Sequence, residues 1–312
     1  MFLLNIFFGS VHIDYDDVMS ILMGKYADEA LSFIILHHRI PQAITALMVG
    51  AALAVSGLLL QTTFHNPLAG PSVLGISGGA SLGVAILVLG TSSLSIFHFP
   101  FSTIIAAFIG ALAVTALLLF LSSIIKSNLI LLIVGLLLGY LISAIITILY
   151  AVASPEGLQN YVIWGRGDFS SVSLEQLSGF VLPIVVLLFG SLLLIKPLNI
   201  LQLGDMQAKN LGVSIPATRN WILLIVGGLT AMTTAYCGPV AFIGLAVPHI
   251  TRLFVKTTNY RVLLPSTILM GSVVALCCNL LCCIPANTLL PLNAVTPIIG
   301  VPVILYVCLS RR

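Results

Sequence analysis

Four cysteines near the C-terminal end are the side chains with the most obvious capacity for chemistry, because they run as Cys-Cys-x-x-x-Cys-Cys. On a helix, Cys278 and Cys282 lie one turn apart, which places two thiols side by side. Zinc frameworks use C-x-x-C knuckles in loops, whereas thiols within an apolar helix act as small hydrophobic side chains. We therefore expect no metal site. The four residues are Cys277, Cys278, Cys282 and Cys283.

Histidine is the second residue type that could do chemistry, because it binds metals and titrates near neutral pH. His249 follows Pro248 near the end of an apolar segment, and we expect it to make a structural hydrogen bond. His37 and His38 form a pair that could contact a metal chelate, although solvation is the simpler interpretation.

The chain has no phosphate-binding loop of the G-x-x-x-x-G-K-[ST] type. Its only Gly-Lys pair, Gly24-Lys25, is followed by Tyr26. The chain therefore cannot hydrolyse ATP by itself, and any ATP and magnesium would have to be bound by another subunit. We expect no cofactor in this chain and no catalytic residue.

The composition indicates whether the chain lies in water or in a membrane. Of the 312 residues, 59% are hydrophobic and 7% are charged, and the mean hydropathy is +1.19. A soluble domain of this size would have too little polar surface to stay dispersed. We expect an integral membrane protein that forms a single domain over residues 1–312.

Apolar runs long enough to cross about 30 Å of hydrocarbon recur along the chain. They predict an all-α, polytopic membrane bundle with nine full transmembrane helices. Residues 1–9 are also apolar, but nine helical residues rise only about 14 Å, so a short or truncated helix is expected there. The predicted spans are residues 41–62, 73–89, 102–125, 129–151, 177–195, 220–236, 239–255, 263–284 and 294–309.

Charge predicts the orientation of the bundle. With the C-terminus in the cytoplasm, nine basic residues lie inside, and only Lys25, Arg39 and Arg166 lie outside. This distribution obeys the positive-inside rule. The basic inner face can meet anionic lipid or an acidic protein, whereas basic residues are too few and too scattered for nucleic acid.

Two other classes of membrane protein are weighed against the charge pattern. A secondary transporter or channel for a small solute is disfavoured, because no charged residue lies deep within a predicted span, where coupled carriers keep one. An intramembrane enzyme would need polar catalytic residues converging at depth, and no such motif is present.

Glycine and proline mark three local patterns. Asn66-Pro67-Leu68-Ala69 predicts a tight turn. Residues 198–212 contain a short amphipathic stretch that Gly212 is expected to end. Glycines recur every four residues in two spans, which places each set on one helix face for close packing. These glycines are Gly75, Gly79 and Gly83, and Gly135 and Gly139.

The order of these pieces resembles the permease subunits of FecCD-type ATP-binding-cassette importers for iron-siderophores, haem and vitamin B12. The resembling strings are Arg39-Ile40-Pro41, Ser56-Gly57, Gln61, the turn at Asn66, residues 74–80 and residues 238–252. The resemblance implies a homodimer with ten helices per chain in the bacterial cytoplasmic (inner) membrane. It also implies two ATP-binding cassette subunits and an extracytoplasmic substrate-binding protein that delivers an iron chelate, haem or cobalamin.

The resemblance assigns roles to two cytoplasmic loops. Asn66, Pro67 and Leu68 match the family's turn at the cytoplasmic mouth of the pathway, and Ser127 and Asn128 lie in the second loop at that mouth. These five residues are gate candidates. The alternative for the turn is a rigid hairpin with no gating role.

The same resemblance extends to the 198–212 segment. Asp205, Ala208, Leu211 and Gly212 match the family's coupling segment, which fits a groove of the ATPase subunit. The alternative is an interfacial linker with ordinary helix ends.

Pathway and docking residues are also implied. Gly135, Gly139, Tyr140 and Ser143 lie on the helix that lines the pathway at the dimer axis in the family. Arg39 matches an arginine that pairs with a carboxylate of the binding protein, and a snorkelling anchor is the alternative. The usual second arginine is replaced by Gln42, and Cys283 and Leu290 fall near later charged positions, so docking departs from the family pattern.

Overall fold

Helices and their connections make up the described part of the computed structural model, which covers residues 1–9, 11, 13–25, 28–90, 101–283 and 290–310. Within these ranges, the side chains of residues 205, 307, 308 and 310 are not described. The helices are α1 Phe2–Phe7, α2 Tyr15–Leu22, α3 Glu29–Phe33, a π-helical segment Ile34–Arg39, α4 Ile40–Thr63, α5 Ile76–Gly90, α6 Ser102–Ile124, α7 Asn128–Val152, α8 Pro155–Gly165, α9 Leu174–Leu193, α10 Ile195–Leu201, α11 Asp205–Asn210, α12 Ile215–Cys237, α13 Ile243–Val255, α14 Tyr260–Cys283 and α15 Leu292–Ser310.

The nine predicted spans coincide with α4 to α7, α9 and α12 to α15, which confirms the all-helical membrane bundle. In the described ranges, six stretches are long and apolar enough to cross a membrane: Glu29–Thr63, which contains α4, and helices α6, α7, α9, α12 and α14. Helices α5 and α13 and the Leu292–Tyr306 part of α15 are shorter. The count of nine full spans therefore stays a prediction.

Two helix starts differ by four or more residues from those predicted. Helix α13 begins at Ile243 and not at residue 239, because Gly238 and Phe242 have φ values of +73° and +66°, which a right-handed helix cannot accommodate. Helix α12 begins at Ile215 and not at residue 220, because proline is well suited to the first helical turn. Arg219 therefore lies within a helix and not in the loop before it.

The most buried helices are α4 and α12, whose spanning windows are 83% and 72% buried. Helix α4 contacts α14, α13, α12 and α9. It is apolar all round and rich in small residues, which suits a helix that is surrounded by others. The corresponding windows of α6, α7 and α9 are 28%, 28% and 22% buried, so these helices present broad faces to lipid or to a partner.

Glycine permits the closest helix crossings. A Cβ atom on Gly57 of α4 would lie 1.5 Å from the backbone oxygen of Gly244 in α13. On α5, a Cβ atom on Gly83 would lie 2.1 Å from the Ala106 oxygen of α6, and Gly79 meets Gly110 of α6 in the same way. The predicted packing role of the α5 glycines is confirmed.

Candidate functional site

The predicted gate turn is held by its own asparagine. The Asn66 Oδ1 atom accepts a hydrogen bond of 2.9 Å from the Leu68 N–H, and the Asn66 carbonyl accepts one of 3.1 Å from the Ala69 N–H. This side-chain turn fixes the backbone in the segment that joins α4 to α5. The Leu68 side chain is exposed.

A buried histidine attaches this turn to α13. The His249 Nε2 atom lies 2.9 Å from the Pro67 carbonyl oxygen, within hydrogen-bonding distance. The side chain is buried. The structure therefore confirms the structural hydrogen bond expected of His249.

The second predicted gate loop lies at the α6–α7 junction and is held by a residue for which the sequence predicted no role. The Ser127 Oγ atom accepts a hydrogen bond of 3.4 Å from the Ile130 N–H and so caps α7. The Asn128 Oδ1 atom lies 3.2 Å from the Arg219 guanidinium, which donates a hydrogen bond to it. Arg219 belongs to α12 and is 4% exposed.

The 198–212 segment contains the end of α10 and all of α11, and a glycine with positive φ lies on each side of α11. Gly204 has a φ of +97° before α11, and Gly212 has a φ of +81° after it. Gly212 therefore ends the helix as predicted. Leu203, Met206 and Leu211 are exposed apolar side chains around α11. The Asp205 side chain lies outside the described part.

Ala208 lies on the inner side of α11. Its side chain is fully buried within the chain, and its carbonyl accepts a 3.0 Å hydrogen bond from the Val213 N–H. Ala208 therefore holds α11 and the following backbone in place. Its predicted part in ATPase coupling stays a prediction.

The turn after α4, the 198–212 segment and the loop between α13 and α14 lie together at one end of the bundle. The His65 Nε2 atom lies 3.3 Å from the Leu201 oxygen, and the Gln202 amide donates a 2.7 Å hydrogen bond to the Thr258 oxygen. A cavity of about 270 Å³ is lined by residues at the end of α4, in the 198–212 segment, in α13 and around the start of α14. Its lining includes Gln61, His65, Gln202, Arg252, Thr258 and Tyr260.

The predicted pathway residues on α7 fall into two groups, two glycines that pack against the chain and two polar residues that are exposed. A Cβ atom on Gly135 would lie 2.8 Å from the Leu74 side chain, and Gly139 faces Gly75. These two glycines pack against the segment that joins α4 to α5. Their pathway-lining role stays a prediction. Tyr140 is 68% exposed, and Ser143 is exposed on the same helix face.

Arg39 is buried between α1 and the start of α4. It is 4% exposed, and its guanidinium donates hydrogen bonds to the carbonyls of Ile6 (2.7 Å), Phe7 (3.0 Å) and Val11. The docking role that the resemblance implies for Arg39 stays a prediction. These bonds satisfy carbonyls at the end of α1 and fasten that short helix to the start of α4.

Gln42, at the usual position of a second arginine, belongs to a buried amide ladder. Its Nε2 atom donates a 3.1 Å hydrogen bond to the Asn279 Oδ1 atom. The Asn279 Nδ2 atom donates a 2.7 Å hydrogen bond to the Asn5 Oδ1 atom. The ladder connects α1, α4 and α14. It borders a cavity of about 350 Å³ lined by Asp168, Cys237, Cys282 and Cys283, among others.

The described residues contain no group of three or more His, Cys, Asp or Glu side chains that could hold a metal ion. Cys278 and Cys282 are buried within α14. They pack there as small side chains.

Comparison with known proteins identifies the family. A model of the FecCD transport family matches residues 1–310. The chain belongs to the FecCD transport family. It is therefore a membrane-spanning permease subunit, a translocation component that performs no catalysis, and it is an integral membrane protein. ATPase and binding-protein subunits are the expected partners of such a permease.

Characterised relatives align along most of their length. This permease is 34% identical over 296 residues to the hemin transport system permease protein HmuU of Yersinia pestis, covering 93% of this chain and 87% of the relative. It is 34% identical over 286 residues to the vitamin B12 import system permease protein BtuC of Serratia proteamaculans, covering 91% of this chain and 84% of the relative.

Solved structures share the fold. An inward-facing conformation of a metal-chelate type ABC transporter matches with a TM-score of 0.81 at 30% identity, covering 92% of this permease and 90% of that chain. PsaBC from Streptococcus pneumoniae in complex with Fab shares the fold alone, with a TM-score of 0.53 and 18% identity over 92% of this chain and 94% of that chain.

Proposed function

We propose that this permease works as a homodimer in the bacterial cytoplasmic membrane and imports an iron chelate, haem or cobalamin. The relatives support this range of substrates, because their names specify hemin, vitamin B12 and a metal chelate. The C-terminus is cytoplasmic in this proposal. ATP and magnesium are bound by two separate ATPase subunits, and this chain carries no cofactor.

The exposed hydroxyl face of α7 carries the proposal. Tyr140 is the thirteenth of 25 residues in Asn128–Val152, so a spanning α7 places it near the middle of the bilayer. A tyrosine hydroxyl facing hydrocarbon there would lack a hydrogen-bonding partner, which is costly. Ser143 and Thr147 continue the exposed face. The pathway therefore lies along this face, with a second copy of the chain opposite.

The loops at the opposite end from Arg39 form the proposed cytoplasmic gate. Asn66 and Pro67 hold the turn, and Leu68 projects from it as an exposed apolar side chain. Ser127 and Asn128 fix the start of α7, the helix that lines the pathway. A movement of α7 therefore changes the mouth and the pathway together.

The proposed ATPase contact is the exposed surface of α11. Met206 is 80% exposed, and Leu203 and Leu211 flank it as exposed apolar side chains. Three exposed apolar side chains close together on a loop outside the membrane favour a contact with another protein. Asp205 begins this helix, Ala208 anchors it internally, and Gly212 ends it.

Docking of the binding protein is assigned to the end of the bundle that holds Arg39. In this proposal, Arg39 contributes by fixing α1 and the start of α4, and nearby exposed residues make the contact. Acidic residues outnumber basic ones on the predicted outer side, so the docking charges differ from those of an arginine-rich surface.

Substrate uptake by reconstituted transporter tests the proposal. The permease, its ATPase and its binding protein are placed in proteoliposomes and offered labelled ferric siderophores, haem and cobalamin. We expect accumulation of one substrate class only when ATP and magnesium are on the ATPase side. Uptake by the permease alone, driven by a proton or sodium gradient, would instead establish the secondary-transporter alternative.

A further inference from the structure

One buried side chain joins the start of α12 to the α6–α7 junction. The Arg219 guanidinium donates hydrogen bonds to the Ser122 carbonyl, to the Ile125 carbonyl at 3.0 Å and to the Lys126 carbonyl at 3.4 Å. It also donates the 3.2 Å bond to Asn128 at the start of α7. A single residue of α12 thus holds the last turn of α6 and the first turn of α7.

The acceptors explain why an arginine occupies this position. The last carbonyls of a helix have no partner within the helix, so a buried helix end needs donors from elsewhere. Arginine supplies five N–H donors in a rigid planar fork and stays charged, whereas lysine supplies one compact group. The neighbouring Asn220 Oδ1 atom accepts a 2.8 Å hydrogen bond from the Ser122 hydroxyl, which strengthens the same junction.

The other end of this connection is the 198–212 segment. Helix α11 ends at Asn210, and α12 begins five residues later at Ile215. The intervening backbone is tied to α11 by the bond between the Val213 N–H and the Ala208 carbonyl. The Thr218 hydroxyl bonds the Ser214 carbonyl at 3.0 Å within the first turns of α12. Hydrogen bonds therefore hold the short connection between α11 and the turn that carries Arg219 at both of its ends.

We propose that Arg219 is a positioning residue that transmits movement of α11 to the α6–α7 junction and so couples ATPase binding to the cytoplasmic gate. This inference rests on the proposed function, because it requires ATP-driven movement of α11. Removal of Arg219 uncouples the two movements: α11 still follows the ATPase, but the junction no longer follows α11.

Distances between spin labels test this transmission in the complete transporter with its ATPase. A ketone-bearing unnatural amino acid at Lys209 or at Lys126 takes the label and leaves the native cysteines in place. Both side chains are exposed, and they report on α11 and on the junction respectively. The distance between the labels of the two copies is measured by pulsed electron paramagnetic resonance, with and without magnesium and a non-hydrolysable ATP analogue.

We expect both distances to shift in the wild-type transporter on adding the nucleotide. In Arg219→Gln, the Lys209 shift should persist and the Lys126 shift should fall at least twofold, with a smaller loss in Arg219→Lys. Asn128→Ala removes only the side-chain acceptor and gives a second, milder test. Arg261→Gln is the matched control, because Arg261 is an exposed arginine at the start of α14.

The outcomes separate this inference from the proposed function. A full Lys126 shift in both Arg219→Gln and Asn128→Ala would overturn the inference, and so would loss of both shifts together, which indicates a general structural role. If the wild-type labels do not respond to nucleotide at either site, the proposed ATP-driven function itself fails.

Discussion

At the scale of single residues, Arg39 and Arg219 are buried arginines that donate hydrogen bonds to backbone carbonyls inside the protein, which an exposed charge cannot do. Arg39 and Arg219 both satisfy carbonyls at helix ends, and each connects segments distant in sequence. Arg219 lies 93 residues from Lys126, so no local pattern indicates the contact. Their roles could be found only when the acceptor carbonyls were located in space.

Replacement of Arg39 separates its structural role from the docking role that the resemblance implied. Arg39→Gln leaves the buried carbonyls of α1 without donors, so we expect a loss of about 2 kcal/mol or more in stability. Thermal unfolding in detergent measures this, with Arg166→Gln as the control at an exposed arginine. Unchanged stability together with lost binding-protein affinity would contradict the structural role and support the docking role.

At the scale of helices, apolar run length predicted the positions of nine helices because hydrocarbon thickness sets that length. Exact ends were less predictable. The break before α13 depends on Phe242 in a left-handed conformation, which bulky side chains rarely adopt. The glycine spacing correctly predicted close packing, but it could not show that Gly135 and Gly139 pack against Leu74 and Gly75.

Close packing of α4 predicts a sharp cost for one added methyl group. In Gly57→Ala, the new carbon would overlap the Gly244 backbone oxygen, so α4 and α13 must separate. We expect a destabilisation of about 3 kcal/mol, measured by thermal unfolding. Gly165→Ala is the control, because a Cβ atom there meets nothing within 4 Å. Equal stability of the two variants would contradict this account of the packing.

The exposed surface of α11 predicts which substitutions weaken binding of the ATPase. In Met206→Glu and Leu211→Glu, a carboxylate replaces an exposed apolar contact, so we expect at least a tenfold loss of ATPase affinity with normal folding. Co-purification from detergent extracts measures this. Leu174→Glu, at an exposed site at the start of α9, is the control. ATPase retention in both α11 variants would place the contact elsewhere.

At the scale of the whole molecule, membership of the FecCD family and the exposed α7 face lead to one arrangement. The buried helices α4 and α12 form the rigid centre, and α7 stands at the periphery with hydroxyls on its open face. Sequence composition could predict the membrane bundle, and the resemblance could predict the family. Which α7 residues are open and which are packed depends on tertiary contacts, so only the structure separates Tyr140 from Gly139.

Photocross-linking at position 140 tests most directly whether the pathway lies between two copies along α7. Tyr140 is replaced by benzoylphenylalanine in the assembled, ATP-competent transporter, and Leu182 of α9 is replaced in the same way as a control. The two side chains are equally open, at 68% and 70% exposed. We expect position 140 to cross-link to the second copy or to transported substrate, and position 182 to lipid. Cross-linking to lipid alone at both positions would contradict the account.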